Sequence, residues 1–121
     1  MITGIIVLVI GFFVFRGITG FAVSDGKNYD NFAKCLTEKG AKMYGASWCS
    51  HCQNQKKNFG SSWRYVSYIE CALPTGNGQT KECQIVGIDG YPTWVFSDGR
   101  KVPGEVSFQQ LSQITGCQLS G

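Results

Sequence analysis

Residues 42–60 read Lys-Met-Tyr-Gly-Ala-Ser-Trp-Cys-Ser-His-Cys-Gln-Asn-Gln-Lys-Lys-Asn-Phe-Gly. Lys42 to Ala46 is a short strand candidate, and Cys49 to Phe59, free of Gly and Pro and closed by Gly60, has the make-up of a helix. The first turn of that helix holds Cys49 and Cys52. Two thiols three positions apart at a helix N-terminus can close a disulfide, and the helix dipole with its free N–H groups favours negative charge on the first sulfur. A protonated His51 adds to that field, stabilises the dithiol and makes the disulfide a stronger oxidant. Half of a metal site is the competing reading. It requires a second Cys or His pair at zinc-like spacing, whereas Cys71 and Cys83 are twelve apart and His51 is the single histidine. No metal is therefore expected. Haem attachment requires His where Gln53 stands.

Working outward, Asp30 or Asn31 caps a helix that turns Phe32, Cys35 and Leu36 to one face and stops at Gly40. Downstream, Tyr65 to Glu70 alternates like a strand, Ala72 to Thr80 is a loop, and Lys81 to Val86 is a short helix. Thr93 to Phe96 and Lys101-Val102, joined by the turn Ser97-Asp98-Gly99-Arg100, form a hairpin. Ser107 and Gln110 make a capping box for a last helix with Leu111 and Ile114 inward and Gly116 as its stop. Within Gly90-Tyr91-Pro92-Thr93-Trp94, proline stands at the first residue of a strand, where no ladder N–H is needed. The order predicts an α/β fold: a central mixed sheet of about four strands flanked by helices.

The whole chain has 121 residues, room for one domain and a short appendage. Hydrophobic residues make up 43% and charged residues 16%, enough apolar surface to bury a core. Eleven Lys and Arg against eight Asp and Glu give +3, scattered without a basic run, so a nucleic-acid partner is not expected. Six cysteines in so short a chain point to an oxidising compartment, and all six lie after residue 34. Met1 to Phe15 carries no charge. Fourteen helical residues reach only about 21 Å, so a bilayer span needs the stretch through Val23, with Arg16 snorkelling towards the headgroups. A cleaved signal peptide is the alternative, although no Lys or Arg precedes the apolar run. Arg16 on the C-terminal side favours a cytoplasmic domain by the positive-inside tendency; the cysteine load favours the opposite side and outweighs a single charge.

Trp48-Cys49-Ser50-His51-Cys52 followed by Tyr91-Pro92-Thr93 resembles the redox motif and cis-proline loop of the thioredoxin superfamily, over about Phe32 to Cys117. With Gly40 to Ala46, Glu70-Cys71 and Glu82-Cys83, the chain is more narrowly similar to the thioredoxin-like domain fused to bacterial vitamin K epoxide reductase homologues. Together with the apolar N-terminal run, the expected organisation is residues 1–24 as anchor or signal peptide, 25–30 as linker, 31–117 as the thioredoxin-like domain and 118–121 as a tail. The resemblance also implies a Cys49–Cys52 redox disulfide and no other cofactor, with Cys49 attacking, Cys52 resolving and His51 tuning. Pro92 and Tyr91 would present backbone to protein thiol substrates, beside Trp48 and Thr93. Two departures matter. Met43 stands where thioredoxin keeps a buried Asp, and the four-helix quinone reductase domain is missing from this sequence, so a separate vitamin K epoxide reductase-like membrane protein would accept the electrons. Cys35, Cys71, Cys83 and Cys117 allow three pairings. The Gly-rich loop favours Cys71 with Cys83, leaving Cys35 with Cys117; free buried thiols are the alternative. The expected function is a membrane-tethered oxidant or isomerase of extracytoplasmic, or secreted, protein thiols. A reductase fed by a membrane electron donor and a non-enzymatic metal- or protein-binding module are the competing readings.

Overall fold

A computed structural model describes residues 28–119. The expected anchor or signal peptide at residues 1–24, the first half of the linker and the last two residues of the tail lie outside them. Helix α1 (Asp30–Glu38) leads into strand β1 (Lys42–Gly45), helix α2 (Ser50–Phe59), a 3-10 helix (Gly60–Tyr65) and strand β2 (Ser67–Glu70). Helix α3 (Lys81–Val86), strands β3 (Thr93–Val95) and β4 (Lys101–Pro103) and helix α4 (Phe108–Thr115) complete the chain. The sheet order is β2-β1-β3-β4, parallel between β1 and β2 and antiparallel elsewhere. This is the mixed four-stranded α/β architecture expected from the sequence, a thioredoxin-like fold. Among the described residues no helix is long and apolar enough to cross a membrane.

Alternation along β1 decides what lies on each face of the sheet. Met43 points into the larger core, with Phe32, Leu36, Phe59, Trp94 and Leu111, while Tyr44 faces a smaller cluster with Cys71, Cys83 and Ile88. Four aromatic rings knit the larger core to the helices: Phe59 meets Phe108 at 4.7 Å and Trp94 at 6.3 Å, and Phe32 meets Phe108 at 5.3 Å. Such tilted contacts add to plain apolar burial.

Two local readings are corrected. The strand expected from Tyr65 begins only at Ser67, because the preceding residues are wound into the 3-10 helix. Side chains pin that turn to α1: buried Ser62 donates to Asp30 Oδ1 at 2.6 Å and accepts from Tyr29 N at 3.0 Å, and Thr37 Oγ1 donates to the Tyr65 carbonyl at 2.6 Å. Asp30 therefore lies inside α1, with Tyr29 at the N-cap position, and its carboxylate serves Ser62 instead of the helix end.

Cys35 on α1 is bonded to Cys117 just beyond α4, and Cys71 after β2 to Cys83 on α3. The first bridge spans 82 residues and the second 12. By chain entropy, closing the longer loop is worth up to about 4.5 kcal/mol. Replacing Cys35 and Cys117 together by Ser is expected to remove about 2 to 4.5 kcal/mol and lower the urea midpoint while Cys71–Cys83 stays closed. An unchanged midpoint would show that the bridge contributes nothing.

Candidate functional site

The site lies where β1 hands over to α2. Cys49 is extended and forms the N-cap of α2, its Sγ accepting a hydrogen bond from Cys52 N at 3.2 Å. The helix thus begins at Ser50, one residue later than its sequence suggests, because the first cysteine is used as the cap. Capping by sulfur places the Cys49 side chain on the axis where unpaired backbone N–H groups face charge. Cys49 is 7% exposed and Cys52 0%, so an incoming sulfur meets Cys49 first. Burial, and then the hydrogen bond with Cys49, push the Cys52 thiol up to about 12.

Trp48, 61% exposed, stands edge-on to Tyr91 at 5.7 Å. This contact joins the motif to the loop containing the cis Tyr91-Pro92 peptide. Pro92 is fully buried, and its carbonyl accepts from Gly104 N at 2.7 Å. Thr93 is buried with its hydroxyl donating to the Gly90 carbonyl at 2.7 Å, so its side chain shapes the loop from within. Gln79 Nε2 donates to Tyr91 Oη at 2.9 Å and to the Ile88 carbonyl at 2.8 Å, fixing the tyrosine from the segment between Cys71 and Cys83. His51 is exposed and points to the loop before α4, its Nδ1 2.8 Å from Glu105 Oε2.

Three groups absent from the sequence-based site complete it. Gln55, one turn beyond Cys52 and fully buried, accepts at Oε1 from Val106 N (2.7 Å) and Trp94 Nε1 (3.2 Å), and donates from Nε2 to the Val106 carbonyl at 3.0 Å. Tyr68 packs on the α2 side of β2 and donates to Glu70 Oε1 at 2.7 Å. Glu70 Oε2 accepts from Ser47 N at 2.9 Å, steadying the approach to the motif. The 55th position, three residues after Cys52, is the only one of these with a local signal: a polar residue on the face of α2 that also carries Cys52 and Phe59. Among the described residues no group of His, Cys, Asp and Glu is arranged to hold a metal ion.

An oxidisable pair of free thiols at a helix N-terminus, beside a cis-proline loop on this fold, defines a thioredoxin-like dithiol domain. No family model matches the chain. Over 91 residues it is 41% identical to a protein named thiol-disulfide oxidoreductase LTO1 from Arabidopsis thaliana. The match takes in 72% of this chain, which spans 24% of the length of that curated relative.

The upward shift of Cys52 has a direct chemical consequence. Its thiol stays protonated through neutral pH and ionises only as the pH approaches 12. Brief treatment of the reduced protein with iodoacetamide near neutral pH is expected to label Cys49 and spare Cys52 by at least about tenfold, read by peptide mass spectrometry. Equal labelling would contradict the burial of Cys52.

Proposed function

We propose that the chain exchanges disulfides with protein thiols on the extracytoplasmic side of a membrane, as an oxidant or isomerase. The observation that carries this reading is the Cys49–Cys52 pair at the N-terminus of α2, with Trp48 and Tyr91 beside it. A substrate thiolate attacks Cys49 Sγ of the oxidised pair, and Cys52 leaves with the electron pair. A second substrate thiol then displaces Cys49, so the substrate gains a disulfide and the chain becomes a dithiol. Residues 31–117 are the working domain, joined through residues 25–30 to an anchor or cleaved signal at residues 1–24, with 118–121 as a tail. Two cysteine pairs engaged as bridges favour an oxidising space. Re-oxidation calls for a two-electron acceptor, and the narrower resemblance suggests a separate vitamin K epoxide reductase-like membrane protein. Thiol–disulfide oxidoreductase is also the printed name of the relative from Arabidopsis thaliana.

In its native compartment, Cys52→Ser is expected to accumulate mixed disulfides with substrates, because Cys49 still forms the adduct and nothing resolves it. Cys49→Ser is expected to accumulate almost none. Non-reducing electrophoresis compares them, and equal trapping would overturn the assignment of the nucleophile.

His51 gives the oxidant reading its electrostatic support. An imidazolium at the second residue of α2 favours the reduced pair, and each 1.4 kcal/mol of that preference raises the potential by about 30 mV. His51→Ala is expected to make the couple more reducing in glutathione buffers while the fold persists, since the ring is exposed. An unchanged potential would restore the reductase reading to equal standing.

A further inference from the structure

Closing the Cys49–Cys52 disulfide requires Cys52 to lose a proton, yet its sulfur is sealed from solvent. Met43, the partner of Tyr68 across the β1–β2 ladder, is buried and has no group to receive one. Two residues along β1, Gly45 leaves a gap smaller than a methyl group instead. A Cβ there would stand 2.9 Å from Cys52 Sγ, 3.0 Å from Tyr68 Cε1 and 3.3 Å from Tyr68 Oη, so the thiol and the phenol face the same gap. The phenol donates to Glu70 Oε1 at 2.7 Å, and Glu70 reaches solvent.

We propose that Tyr68 and Glu70 form the proton path of the resolving thiol, carrying the Cys52 proton through the phenol to an exposed carboxylate. The proposal rests on the disulfide-exchange reading above. With Cys49 in a mixed disulfide, the Cys52 S–H proton passes to the Tyr68 oxygen as the Tyr68 proton passes to the Glu70 carboxylate. Cys52 sulfur forms the new bond to Cys49, the bond from Cys49 to the partner breaks, and the partner sulfur departs with the electron pair. Glu70 then releases the proton to water. Oxidation of a substrate runs the same path backwards, the proton arriving at Cys52 as it leaves.

The ionisation properties agree with this geometry. Burial, and then the hydrogen bond to Glu70, hold the Tyr68 phenol far above its usual range, so it passes a proton on without resting as phenolate. The other titratable groups facing the gap are Cys49 and Lys56, whose Nζ lies 4.2 Å from the Tyr68 ring centroid and whose charge opposes the rise at Cys52. Glu70 also accepts from Ser47 N and Ala72 N, at 2.9 and 3.2 Å, which holds its second oxygen still while the first serves Tyr68.

The step is isolated by mixing the reduced full chain, in detergent, with Ellman's reagent in a stopped-flow instrument. Cys49 releases a first thionitrobenzoate as it forms the adduct, and attack by Cys52 releases a second. Tyr68→Phe and Glu70→Gln are each expected to slow the second release at least about tenfold near neutral pH. The deficit should shrink towards alkaline pH, where hydroxide removes the proton, and the first release should be unchanged. Glu70→Gln keeps a carbonyl oxygen for Ser47 N and Ala72 N and turns an amide N–H2 to the Tyr68 oxygen, so it carries the test if Tyr68→Phe fails to fold. Second-phase pH profiles that overlay wild type, or a deficit equal at every pH, would overturn the proton path while leaving disulfide exchange standing. Wild-type protein with no second release at any pH would overturn the exchange reading itself.

Discussion

Helix α2, which carries the two free thiols, is held in place by a buried amide. Of the ten residues of α2, only Cys52, Gln55 and Phe59 are buried, and the remainder are mostly polar. Phe59 supplies aromatic packing at the far end, but near the thiols the attachment depends on Gln55. Its oxygen takes two donors, Val106 N and Trp94 Nε1, and its nitrogen satisfies the Val106 carbonyl. An aliphatic side chain of the same size would strand those three polar groups, each at about 1 to 3 kcal/mol. A carboxylate could accept but not donate. Glutamine is the side chain of this length that meets both demands.

That constraint propagates to the surface. Because Val106 is tied to Gln55, Glu105 is delivered beside the first turn of α2, where it meets His51. Trp94, the other partner of Gln55, belongs to β3 and follows the Pro92-Thr93 segment directly. One amide thus fixes the distance from the thiols to the proline loop and to the histidine's counter-charge. Glu105 Oε2 lies 2.8 Å from His51 Nδ1, so the orientation of the ring beside the motif is set by the pair.

Much of this was legible in the sequence, and the exceptions have a common cause. The motif, the flanking strand and helix, the hairpin and the Ser107–Gln110 cap depend on neighbours a few residues apart, and the expected elements appear there. The segment around Tyr65 alternates as a strand would, but the Ser62–Asp30 and Thr37–Tyr65 hydrogen bonds link residues about thirty positions apart and decide otherwise. Gln55, Tyr68, Glu70 and Glu105 escaped for the same reason. Their roles depend on Val106, Cys52, Ser47 and His51, none of which is a local neighbour except through the fold.

The three cysteine pairs divide the work by what surrounds them. Cys35–Cys117 fastens α1 to the residue just beyond α4. Cys71–Cys83 closes the loop that contains Gln79, and Gln79 grips both Tyr91 Oη and the Ile88 carbonyl. The second bridge therefore limits the freedom of the side chain that leans on Trp48. Cys49 and Cys52 differ from both pairs in being unbridged, with Cys49 as the N-cap of α2 and Cys52 against the bare backbone of Gly45. A side chain at Gly45 would press on Cys52 and on the Tyr68 ring, so the smallest residue in β1 is needed beside the two free thiols.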